Sequence, residues 1–270
     1  SSDEDGLYHD MLHLPGGRSL PLKLRSLVGL SPLFAVRTID ADWLEHAPAF
    51  RRRMEWFLDH RPDLTSPLAD MRAPGVDGRR LLAIVDPHKL RRLLSVMLDP
   101  REFLSPFGIR SLSRIHAMEP FELRVDGHVH RVSYEPAESR SGLFGGNSNW
   151  RGPIWFPMCF LLIESLRRYH AYLGDDFKVE HPTGSGRYVT LLEVGRDLSA
   201  RLAGLFLRAP DGTRAAHGPY EKLQRDPRFR DHVQFFEYFH GDDGRGLGAS
   251  HQTGWTGLRS EEHTSELQSP

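Results

Sequence analysis

The chain has 270 residues, 39% of them hydrophobic and 26% charged, with a formal net charge of −1. That length and balance are enough for a sizeable buried core, and near-neutrality gives no electrostatic reason to expect a nucleic acid or another polyanion as partner. A single cysteine, Cys159, excludes an intrachain disulfide, and no apolar run is long enough to span a bilayer.

The first acidic stretch, Asp3 to Asp10, lacks the spacing of a calcium loop and reads as a solvated chain end. From residue 20 to 37, Leu24, Leu27, Val28, Leu30, Leu33 and Phe34 recur at helical intervals, with Pro32 predicting a bend or restart. A second helix is predicted from Asp40, with an apolar stripe of Leu44, Phe50, Met54, Phe57 and Leu58 that ends at Arg61–Pro62. Residues 62–80 read as loop. Asp86-Pro87-His88 predicts the start of another helix, carrying Leu90, Leu93, Leu94, Met97 and Leu98.

Between residues 120 and 134 the period changes. Phe121 to Val125 and His128 to Val132 alternate apolar and polar around Asp126-Gly127, which is a hairpin pattern. A long aperiodic stretch, Tyr134 to Pro153, follows; loops of that length in a compact domain are usually functional. Helices are then predicted over 154–173, 190–207 and 231–238. The expectation is a mostly helical chain with one β-hairpin and long inter-helix loops. Cys159 lies in an apolar run and is expected to be a small buried hydrophobe, in keeping with a reducing, cytoplasmic setting. The fifteen histidines are scattered without a metal-ligand spacing, so no metal and no cofactor are expected.

Two segments concentrate chemistry. In Phe235-Phe236-Glu237-Tyr238-Phe239-His240-Gly241 a lone carboxylate sits among aromatics and a glycine-rich stretch follows, ending at His251 and Trp255. Apolar surroundings raise the free energy of an ionised carboxylate, and aromatic faces stack on sugar rings. Glu237 is therefore a candidate general base, with Tyr238, His240, His251 and Trp255 as candidate substrate contacts. The bland alternative makes Glu237 the last turn of an amphipathic helix, paired with Arg230 or His240. In Asn149-Trp150-Arg151-Gly152-Pro153-Ile154-Trp155 an amide and a guanidinium could hold sugar hydroxyls and an indole could form a platform. The alternative there is two core tryptophans and a structural ion pair at Arg151. Glu135 and Glu138, in the long loop, are reserve carboxylates.

These stretches, with Leu22 to Leu30, Glu102 to Ser113, Phe144 to Asn149 and Pro182 to Gly186, resemble glycoside hydrolase family 63, in particular its bacterial glucosidase and mannosylglycerate hydrolase-like members. The resemblance covers residues 3–258. It implies an all-α fold, part of an (α/α)6 toroid, and inverting hydrolysis of an α-glucosidic or α-mannosidic bond in a small carbohydrate. It assigns Glu237 as general base and places Asn149, Trp150, Arg151 and Trp155 at the subsite of the cleaved sugar. The family's general acid is an aspartate that would precede Ser1; none of Asp3, Asp5 or Asp10 matches it. Residues 1–258 are accordingly expected to be the C-terminal part of a catalytic domain, inactive on its own, and 259–270 an adapter-derived, non-native tail. The rival expectations are a glycan-binding or structural module on the same toroid that never catalyses, and a phosphorylase, which would need a basic phosphate pocket.

Overall fold

A computed structural model describes residues 6–125, 127–140 and 150–251. They form two compact units. One comprises the residues up to Tyr8, Val28–Leu98 and Leu161–Gly195; the other comprises His9–Leu27, Asp99–Phe160 and the residues from Arg196 onward. The boundaries fall inside both long helices, Phe156–Leu173 and Leu191–Gly204.

The first unit is built on helices. Asp86 accepts hydrogen bonds from the N–H groups of His88 and Lys89, both at 2.9 Å, and Pro87 needs no N–H partner at the first helical position. The helix Pro87–Met97 thus starts where the sequence predicts and buries Leu90, Leu93, Leu94 and Met97. The later part of Phe156–Leu173 buries Leu162, Ile163, Leu166 and Tyr169, and the Tyr169 hydroxyl donates to the Val85 carbonyl at 3.0 Å. Thr190 and Glu193 cap the start of Leu191–Gly204 reciprocally. Glu193 accepts from the Thr190 N–H at 2.8 Å, and the Thr190 hydroxyl oxygen accepts from the Glu193 N–H at 3.2 Å.

The all-α expectation is overturned. Six two-stranded antiparallel sheets interleave with the helices among the described residues, so the fold is mixed and not a plain helical toroid. The hairpin Phe121–Val125 with His128–Val132 is the one the alternation announced. Most other strands have two to four residues, too short for a period of two to show. Three predicted helices change form. Residues 20–37 give the strand Ser19–Leu22 and a 3-10 segment, Leu27–Phe34, that contains Pro32. The helix predicted from Asp40 is split into Ala41–His46 and Pro48–His60, because Pro48 cannot continue the first helix but can open the second. Its apolar stripe is only partly covered: Leu44 is buried, Met54 and Leu58 are half-buried, and Phe50 and Phe57 are exposed. Finally, the segment predicted as a helix over 231–238 is extended at its end, in the strand Phe236–Phe239.

Candidate functional site

The second unit brings three separated segments together. Leu104–Ser105 pairs with Gly108–Ile109, and the chain then runs beside the tryptophan motif. There the Ser111 N–H donates to the Pro153 carbonyl at 3.0 Å, and the Ser111 hydroxyl accepts from the Gly152 N–H at 3.1 Å. On its other side Ile154 pairs with Phe239 through two backbone hydrogen bonds of 2.8 and 2.9 Å. The middle segment is therefore sewn to one neighbour at Ser111 and to the other at Phe239. Glycines permit the close approach. A side chain at Gly241 would meet the Gly152 carbonyl oxygen at 2.4 Å and the Tyr134 hydroxyl at 2.6 Å.

Three aromatic rings stack within this seam. Trp150 and Trp155 lie 4.2 Å apart with an interplanar angle of 8°, and Trp155 and Tyr238 lie 4.8 Å apart at 23°. Exposure falls along the stack, from 38% at Trp150 to 5% at Trp155 and 2% at Tyr238. The outer indole presents area to solvent while the inner two are held by the fold. Glu237 precedes Tyr238 in the strand and is half-buried. Burial, followed by the negative charges of Glu138 and Glu237, raises the Tyr238 hydroxyl well above its ordinary range. The phenol therefore stays protonated at neutral pH.

Arg151 is buried and its guanidinium lies 3.8 Å from the Glu135 carboxylate; the Glu135 N–H donates to the Arg151 carbonyl at 2.6 Å. His240 is buried, and its Nδ1 accepts from the N–H groups of Asp242 and Asp243, both at 3.2 Å. Its ring therefore organises the turn after the Glu237 strand. His251 packs edge-on against Phe235, with centroids 6.1 Å apart. Asn149 and Trp255 lie outside the described residues. The structure thus stacks Trp150, Trp155 and Tyr238, sets Glu237 beside Tyr238 alone, couples Arg151 to Glu135, and gives His240 to the turn. The helical alternative for Glu237, with Arg230 or His240 as its partner, is replaced by a strand.

The same unit holds a cluster that pattern reasoning missed. Arg110 donates to Asp242 Oδ1 at 3.0 Å from Nη2 and 3.3 Å from Nε, and to the Leu104 carbonyl at 2.6 Å. The Tyr134 hydroxyl donates to the same Asp242 oxygen at 2.9 Å. Ser105 donates its hydroxyl to the Gly241 carbonyl at 2.7 Å. These bonds pin the turn at 240–245 against the other two segments. The available signal was a lone arginine between Ile109 and Ser111, and an aspartate pair set between glycines. A cavity of about 510 Å³ in the first unit, near Leu44, Met54 and Met71, holds none of these groups. Its Arg51 and Arg72 are already paired with Glu55 and Asp59. Among the described residues no three histidine, cysteine or acidic side chains group as metal ligands. None of the described helices is long and apolar enough to cross a membrane.

Buried histidines set an acid limit. Burial lowers His116, whose Nε2 accepts from the Arg25 N–H and whose Nδ1 donates to the Glu119 carbonyl. Burial likewise lowers His240 and His217. Each binds a proton more readily unfolded than folded. Stability is therefore fully present above the ordinary histidine value of about 6.5 and is lost as pH falls through that value toward the depressed folded ones. The thermal midpoint is expected to drop between pH 7 and pH 5, and His116→Gln should flatten that slope; a midpoint independent of pH over this range would contradict it.

The segments of this seam lie within residues 80–256, which match the family model described as the mannosylglycerate hydrolase MGH1-like glycoside hydrolase domain. The chain belongs to this family. It carries a glycoside hydrolase-like domain, related in part to glucosidases. The chain is 50% identical over 260 residues to the uncharacterized protein YMR196W of Saccharomyces cerevisiae, covering 95% of this chain and 24% of that protein. It is 23% identical over 171 residues to a mannosyl-oligosaccharide glucosidase of the same yeast, covering 63% of this chain and 14% of that enzyme. The chain therefore spans a quarter or less of the length of these relatives. The MGH1-like match includes Glu102 to Ser113, Trp150 to Trp155 and Phe236 to Gly241, the stretches that the backbone bonds join.

Proposed function

We propose that the protein hydrolyses an α-glycosidic bond, glucosyl or mannosyl, in a small glycoside or oligosaccharide, with inversion at the anomeric carbon. In this reading Glu237 is the general base. It removes a proton from the attacking water while a separate acid protonates the leaving oxygen. Trp150, backed by Trp155 and Tyr238, offers the apolar face of a sugar ring a platform. Arg151 and Asn149 serve the hydroxyls, with Tyr238, His240, His251 and Trp255 as further substrate contacts. Membership of the MGH1-like glycoside hydrolase domain and the distant likeness to a glucosidase support a glycosidase. The observation that carries the reading is the stack Trp150–Trp155–Tyr238, whose innermost ring adjoins Glu237.

Proton NMR of aryl α-glucoside and aryl α-mannoside hydrolysis tests the stereochemistry. The β-anomer of the free sugar is expected first, before mutarotation; α-anomer released first would reject inversion. Assayed in the full-length protein, binding of the glycosides without any turnover would favour a glycan-binding module instead, because the platform would remain and the chemistry would not.

A further inference from the structure

The strand that carries Glu237 faces an irregular partner. Phe236 pairs with Ser250 and Tyr238 with Leu247, so Gly248 and Ala249 together oppose Glu237. This is a bulge, and its first residue, Gly248, has φ of 69°, the left-handed region in which glycine is at ease. A side chain there would have no room. Its first carbon would stand 2.8 Å from Glu237 Oε2, 3.1 Å from Glu237 Cβ and 2.7 Å from Tyr238 Cε1. Gly248 is itself exposed, so the carboxylate rests against a hydrogen atom on the side open to water.

We propose that Gly248 is a positioning residue: the bare bulge fixes where the Glu237 carboxylate stops and keeps its water-facing side open. This rests on Glu237 being the general base. A carbon at this site would push the carboxylate away from both the bulge and the Tyr238 edge. Misplacement by about 1 Å costs on the order of 10²-fold in rate even when the chemistry is intact. Bulges beside reacting groups commonly serve to re-aim a side chain, and here two residues opposite one do so for a carboxylate.

The test is a double-mutant cycle on an aryl α-glycoside, with G248A, E237Q and both together. G248A is expected to lower kcat on the order of 10²-fold with KM within about two-fold, while adding little to the loss in E237Q. G248N repeats the measurement with a residue that tolerates positive φ, which separates the added carbon from backbone strain. G16A is the strain control: Gly16 has φ of 84° with no atom within 4 Å, and its rate should stay that of the parent. A fully active G248A overturns the inference and leaves the base assignment standing. An equal further loss in the E237Q background also overturns it, by showing a general structural effect. All variants are made in the full-length protein; if E237Q there turns over normally, or the full-length parent turns over no glycoside, both readings fall together.

Discussion

Glu237→Gln should lower turnover by about 10²–10⁴-fold while leaving sugar affinity within about two-fold. The amide keeps the shape of the side chain but cannot accept the proton that the attacking water must lose. The platform indoles are untouched, so ground-state binding should survive, and a loss confined to kcat is the signature of a group used in the transition state. Initial rates with an aryl α-glycoside, beside calorimetric titration with the free sugar, separate the two quantities. A variant that keeps more than a tenth of the parent rate would remove Glu237 from the mechanism. Glu138 and Glu135 would then be next in line. The charge of Glu138 bears on the same Tyr238 hydroxyl, and Glu135 lies beside Arg151.

Arg110→Met is expected to cost about 3 kcal/mol of stability, the lower end of the range for breaking a buried pair from one side. Arg110 is 3% exposed in its side chain, and its removal leaves Asp242 and the Leu104 carbonyl without their charged donor. Asp242 is 34% exposed in its side chain and can recover part of its hydration, which places the cost at the low end. The pair R110M/D242N should lose less than the sum of the two single changes, because the residues share one interaction. Urea unfolding at constant slope measures this; a loss below about 1 kcal/mol would mean that the cluster does not hold the turn.

The two experiments touch different layers of one construction. The carboxylate belongs to a four-residue strand, Phe236–Phe239. That strand is kept in place by the turn that Arg110, Tyr134 and Ser105 grip from segments more than a hundred residues away in the chain. Stability lost at Arg110 should therefore also loosen the placement of Glu237.

Some of this was legible in the residue order. Asp86-Pro87 announces a helix because both residues act on groups one to three positions away, and Asp126-Gly127 between alternating strands announces a hairpin for the same reason. The long helices over Phe156–Leu173 and Leu191–Gly204 are visible because helical hydrogen bonds are local and repeat. The aromatic segment around Glu237 misleads for the opposite reason. Phe235, Phe236, Tyr238 and Phe239 leave no clear period, and the strand exists only because Ile154 and the bulged segment 246–250 offer it backbone partners. The all-helical expectation failed on such pairings.

The sequence by itself determined membership of a glycoside hydrolase-like family and the elements whose hydrogen bonds close within a few residues. The tertiary structure decided that Trp150, Trp155 and Tyr238 form one stack, that Glu237 sits on a strand against Gly248, and that Arg110 meets Asp242 across 132 residues of chain. Local patterns report the bonding a segment can make with itself; a bridge, a bulge or a buried ion pair depends on which distant backbone arrives beside it.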